Sequence, residues 1–109
     1  MAKFSIYQIT KKNRDLASQS VFYGISEAFT QADARKAFAN GYYSKNADVE
    51  AADNIEVQKL INQDRTNTRI LKTGILRNIS VGDLINNTDT NQWFIVGPKT
   101  FDIIKIKQK

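Results

Sequence analysis

The chain has 109 residues, 41% of them hydrophobic and 25% charged, with one proline, a formal net charge of +5, and neither cysteine nor histidine. That length suits one domain spanning residues 1–109 and leaves no room for a second. Without Cys or His, thiol nucleophiles, imidazole acid–base chemistry, zinc fingers and disulfide frameworks are excluded, so no metal centre and no cofactor is expected.

Lys3 to Ile9 places Phe4 and Ile6 on one face and Tyr7 and Ile9 on the other, a period of two that predicts the first strand. Thr10 to Ser20 is polar without period and reads as a loop; Val21 to Tyr23 is a short β-prone run ended by Gly24. Thr30 and Asp33 form a T-x-x-D cap, with Phe29 and Ala34 at staple positions, and predict a helix of about ten residues that Asn40-Gly41 stops. Ala34, Ala37 and Phe38 share its apolar face. Tyr42 to Val49 reads as a second β-stretch. Asp53 and Glu56 repeat the cap as D-x-x-E and open a second short helix, ending near Asn62, with Ile55, Leu60 and Ile61 on its apolar side.

Gln63 to Asn67 is polar loop. Ile70 to Ile79 predicts one or two short strands broken at Gly74, and Ser80, Gly82 and Asp83 a tight structural turn that feeds Leu84 and Ile85 into a strand. Asn86 to Asn91 is a polar connection. Gln92–Val96 and Thr100–Ile106 form a hairpin around Gly97-Pro98-Lys99. The sum is an α+β fold: a curved antiparallel β-sheet with two short α-helices packed at one side or end, and a C-terminal β-meander. Helices this short need Phe38, Leu60 and Ile61 buried against the sheet to hold their shape.

Charge is unevenly spread, with a net +3 over residues 1–26, −3 over 27–64 and +5 over 65–109. If the two basic ends meet in space, one face attracts a polyanion; the competing reading is a solvated surface that keeps the protein soluble. The nucleic-acid-binding candidates are Lys11, Lys12, Arg14, Arg65, Arg69, Lys72 and Arg77, with Trp93 as an aromatic platform for an unpaired base. In the pairs Tyr42/Tyr43 and Trp93/Phe94, neighbours alternate faces, so one ring of each is expected to point away from the core. The carboxylates of Asp48, Glu50, Asp53 and Glu56 cluster in sequence, but no D…E-x-K spacing, glycine-rich phosphate loop or nucleophile elbow accompanies them. The expectation is a non-catalytic protein with no catalytic residue.

The arrangement of these segments resembles the YodL-like small proteins of phages and other mobile elements. The residues that carry the likeness are Lys3 to Ile9, Tyr43 to Val49, Ile55 to Asn62, Arg77 to Ile85 with its Ser-Val-Gly-Asp turn, Trp93 to Val96, and Thr100-Phe101. The resemblance implies residence on a mobile element and transfers no active-site residue. The expected function is an accessory protein that binds nucleic acid or a nucleoprotein complex through a basic surface. The alternative is a protein-directed inhibitor of a host defence, of the anti-CRISPR or anti-restriction type, or of a replication enzyme. With no signal-peptide-like apolar run and no stretch of about 18 apolar residues, the expected place is the cytoplasm, of the host cell if phage-encoded, with no membrane partner. An uncovered edge strand makes a homodimer feasible.

Overall fold

The computed structural model describes residues 2–9, 31–74, 76, 78–79, 82–97 and 101–106, with backbone alone at 31–33. Strands β1 (Ala2–Ile9), β2 (Tyr43–Ala51), β3 (Ile70–Lys72), β4 (Leu84–Asn87), β5 (Gln92–Val96) and β6 (Phe101–Ile104) accompany helices α1 (Gln31–Ala39) and α2 (Asn54–Gln63). They make one open sheet in the order β3-β2-β1-β4-β5-β6, antiparallel at every pairing. The broad α+β expectation holds. The polar loop and β-prone run expected at 10–23 and the Thr30 cap lie outside the described residues.

Local chemistry sets the helix ends. The Asp53 carboxylate accepts from the backbone N–H of Glu56 at 2.8 Å, and the Glu56 carboxylate accepts from Ala52 N at 2.9 Å, so the expected reciprocal cap forms with its return bond one residue upstream. α1 ends in a Schellman motif: Tyr42 N donates to Ala37 O at 3.0 Å and Gly41 N to Phe38 O at 3.1 Å.

The two helices do not share one side. Val57, Leu60 and Ile61 of α2 pack with Phe4, Ile6, Ala47, Val49, Ile85 and Val96, whereas Ala34 and Ala37 of α1 pack with Ile9, Tyr43, Leu84, Trp93, Ile95 and Ile104. Neighbours along β1, β4 and β5 fall into different clusters, and strand side chains alternate faces, so the helices cover opposite faces. This corrects the expectation of both helices at one side. Its cause is the chain path: α1 precedes β2 and α2 follows it, and each returns over the face its own apolar residues can reach.

Two covered faces also explain why β1, in the middle of the sheet, buries Phe4, Ser5, Ile6, Gln8 and Ile9 alike. Two apolar assignments change. Ile55 is 55% exposed and Val57 takes its place on the buried side of α2. Phe38 is half-buried, its ring 5.7 Å from Tyr7 and 5.3 Å from Trp93, centroid to centroid. Among the described residues no helix is long and apolar enough to cross a membrane.

Strand polarity defines the two ends of the sheet. Ile9, Tyr43, Leu84, Val96 and Phe101 lie at one end, and Ala2, Ala51, Asn87, Gln92 and Ile104 at the other. Helix α2 supplies a stability test with an internal control. Ile61→Ala removes a fully buried side chain and is expected to cost about 2–5 kcal/mol, whereas Ile55→Ala on the same helix stays within about 0.5 kcal/mol; urea denaturation of both variants separates the two.

Candidate nucleic-acid interface

The cations singled out from the sequence are not equivalent in the fold. Arg65 follows the C-terminus of α2, where its Nε donates to Ile61 O at 3.2 Å and its Nη1 to Leu76 O at 3.4 Å, while Nη2 bonds the side-chain oxygen of Asn78. The guanidinium thus satisfies one carbonyl of the last helical turn, that of Ile61, and ties Leu76 and Asn78 to the helix end. Arg69 Nη1 lies 3.1 Å from Glu56 Oε1, an ion pair that joins the start of β3 to the first turn of α2. Both arginines are therefore engaged in structure. Lys72 is exposed on β3, which is an edge strand, and has no acidic partner among the described residues. Lys11, Lys12, Arg14 and Arg77 lie outside the described residues, as does Ser80.

Trp93 is not an outward platform. It is 3% exposed, with its ring centroid 5.0 Å from that of Tyr7 and 5.3 Å from that of Phe38. Trp93 and Phe94 do alternate, but each face has its own apolar cluster, Phe94 packing against one and Trp93 belonging to the other, whereas Tyr42 precedes β2 and packs in the same cluster as Tyr43, so that pair does not divide between faces. The error lies in assuming a single covered face.

The turn at Gly82 and Asp83 is a β-bulge. Both residues stand opposite Val96, with Gly82 N donating to Val96 O at 2.8 Å and Val96 N to Asp83 O at 2.9 Å, and Gly82 holds φ at 92°. This is the G1 geometry, in which the first residue needs the left-handed region that a β-carbon disfavours. Asp83 reaches much further than its own turn. Its side chain is 1% exposed and its Oδ2 accepts from Gln8 Nε2 at 3.1 Å, across 75 positions of sequence.

Gln8 is the residue that sequence reasoning missed. Fully buried, its Nε2 also donates to Asn78 O at 3.3 Å, and its Oε1 accepts from Asn46 Nδ2 at 2.9 Å. Asn46 is itself the extra residue of a second bulge, because β1 pairs Ile6 with Ala47 and Tyr7 with Lys45. Gly74 closes against it: a β-carbon there would meet Asn46 Oδ1 at 2.6 Å. The signal was available, since Gln8 follows Phe4 and Ile6 on a face that is otherwise apolar. What the sequence lacked was the identity of its partners.

A second polar group sits on the other face of β1 and β2. Ser5 Oγ donates to Asp48 Oδ1 at 2.7 Å, and Lys45 Nζ lies 3.2 Å from Asp48 Oδ2. The lysine is thereby neutralised and the carboxylate held by two donors, so the trio carries neither a free cation nor a free base.

Among the described cations that do not pair with an acid, Lys3 and Lys105 stand near each other in the topology. Lys3 opens β1 and Lys105 follows β6, at the same end of the sheet, three strand spacings or about 14 Å apart. Compared with known protein families, with curated proteins and with solved structures, the chain finds no match.

The Gln8 bonds yield a direct test. Gln8→Leu keeps the volume but strands Asn46 Nδ2 and removes a donor from Asp83, at an expected cost of about 2–4 kcal/mol in urea denaturation. Gln8→Glu sets a second carboxyl beside Asp83, which raises the folded-state pKa of the pair above its unfolded value. The variant is then most stable while the pair holds its proton, so its stability relative to the parent is fully present below the unfolded carboxyl range near ~4, is lost as pH rises from there through the raised folded-state value, and is regained on acidification.

Proposed function

We propose that the protein is a small non-catalytic accessory protein of a phage or other mobile element, and that it holds nucleic acid, alone or in a nucleoprotein complex, at the end of the sheet where β1 begins and β6 ends. The observation that carries this reading is the shared position of Lys3 and Lys105, both exposed and neither within ion-pair distance of an acid among the described residues. Glu50 faces Lys3 across the β1–β2 pair and does not form an ion pair with it. In sequence, Lys107 and Lys109 follow directly, which adds charge of the same sign to this terminus. Phosphate contacts of this kind give affinity without sequence selection and make binding depend steeply on salt.

The reading takes the sheet as curved and its last three strands as a meander that returns Lys105 to the end of the sheet where β1 begins. It sets the protein in the cytoplasm of the host, in keeping with the YodL-like resemblance. Arg65 and Arg69 drop out as phosphate ligands, because their guanidinium groups already serve the carbonyls of Ile61 and Leu76 and the carboxylate of Glu56.

Fluorescence anisotropy with labelled single-stranded DNA, duplex DNA and RNA, across a salt series, tests this directly. Binding is expected to weaken steeply with salt, and Lys105→Ala to reduce the slope of log K against log salt by about 0.7–0.9, the release from one phosphate contact. Arg69→Ala is expected to leave that slope unchanged. Absence of binding at low salt overturns the reading, and a host protein partner that survives nuclease treatment of the lysate would favour the inhibitor role instead.

A further inference from the structure

At this same end of the sheet, the start of β5 and the end of β6 enclose a groove of about 410 Å³. The volume falls within the range of small-molecule sites, roughly 300–1,000 Å³. Ile104 and Ile106, which share the Trp93 face, supply its apolar walls, Asn91, Gln92 and Ile103 border it, and Lys105 is its one charged group among the described residues. Among the described residues no carboxylate lines it, so its charge favours an anion.

Trp93 also lines this groove, and its indole N–H is buried without a hydrogen-bond acceptor among the described residues. Buried indole N–H groups ordinarily find a partner, and an orphaned one calls for a reason. The ring is fixed by Tyr7 and Phe38, at 5.0 and 5.3 Å between centroids, so the donor is held in place by packing.

We propose that this groove receives one unpaired nucleotide, its base against the isoleucine walls and its phosphate at Lys105; the assignment rests on the nucleic-acid reading above. A nucleobase matches the lining in three respects. Its flat faces are apolar enough for the isoleucines, its edge carries acceptors for the indole N–H and both donors and acceptors for the amides of Asn91 and Gln92, and its phosphate complements the single lysine. Trp93 then contributes a donor at its edge, where sequence reasoning had given it a stacking face. The indole nitrogen is closed to solvent, so a base acceptor meets it only after a wall side chain shifts. Any such shift alters the surroundings of Trp93, the one tryptophan of the chain.

Intrinsic tryptophan emission of the unlabelled protein therefore reports on the groove directly. Titration with thymidine 5′-monophosphate is expected to give a saturable change in emission, and thymidine, which lacks the phosphate, to bind about tenfold more weakly. Lys105→Glu is expected to abolish the advantage of the monophosphate over the nucleoside, and Gln92→Ala to weaken both ligands. Both substituted positions are exposed, and a thermal melt matching that of the parent excludes misfolding as the cause.

Anisotropy with a labelled oligothymidylate, run in parallel, separates the two levels of the argument. Oligonucleotide binding with unchanged tryptophan emission and no competition by the monophosphate overturns the groove and leaves the nucleic-acid reading standing. A monophosphate response without oligonucleotide binding supports the groove as a nucleotide site and overturns the reading. A response that is identical in Lys105→Glu overturns the phosphate assignment.

Discussion

The side-chain amide of Gln8 joins the two irregular places in the sheet. One of its groups meets Asn46, the extra residue of the β1–β2 bulge, and the other meets Asp83, the second residue of the β4–β5 bulge, together with the Asn78 carbonyl. A bulge leaves backbone or side-chain groups out of the regular ladder, and inside a covered sheet those groups have no water to turn to. A buried amide with two donors and an acceptor answers both bulges from the strand between them. Replacing it with an apolar side chain would leave polar groups stranded in a low-dielectric interior, where their desolvation is not compensated.

The sheet is then clad on both faces. Among the described side chains, α2 and α1 each contribute two or three buried ones, Val57, Leu60 and Ile61 in one case and Ala34 and Ala37 in the other. Neither is long enough to be stable alone, and each is held where its small apolar face meets a strand surface. The alanines of α1 permit close approach, and the ring cluster of Tyr7, Phe38, Tyr43 and Trp93 fills the space beside them. Arg65 and Arg69 belong to the same scaffold, since one closes the end of α2 and the other ties β3 to its beginning.

That use of arginine changes where charge is available. Engaged cations gather around α2 and β2, while Lys3 and Lys105 remain open at the end of the sheet that also holds the groove beside Trp93. An odd-numbered set of crossings separates the first strand from the last, so the start of β1 and the end of β6 come out on one side. Antiparallel order alone produces this proximity, with no need for the termini to attract each other.

Much of the fold was legible because it is local. The strand at Lys3 to Ile9, the cap at Asp53 and Glu56, the stop at Asn40-Gly41 and the final hairpin all depend on residues within a few positions of one another, and periodicity and capping chemistry act at that range. The extension of β4 through Asn86 and Asn87 was not legible, because those side chains are strand-compatible only once β1 and β5 pair on either side of them. The candidate site was less legible still. Positive charge is a property of composition, but whether an arginine is free depends on which carbonyl or carboxylate the fold brings to it. By itself, the order of residues determined the first strand, both described helices, the final hairpin and the lack of any thiol or imidazole side chain. Only the tertiary structure decided that the helices lie on opposite faces, that Gln8 sits between two bulges and that Trp93 is buried, because each of these is settled by contacts between segments tens of residues apart, whose energies no local pattern encodes.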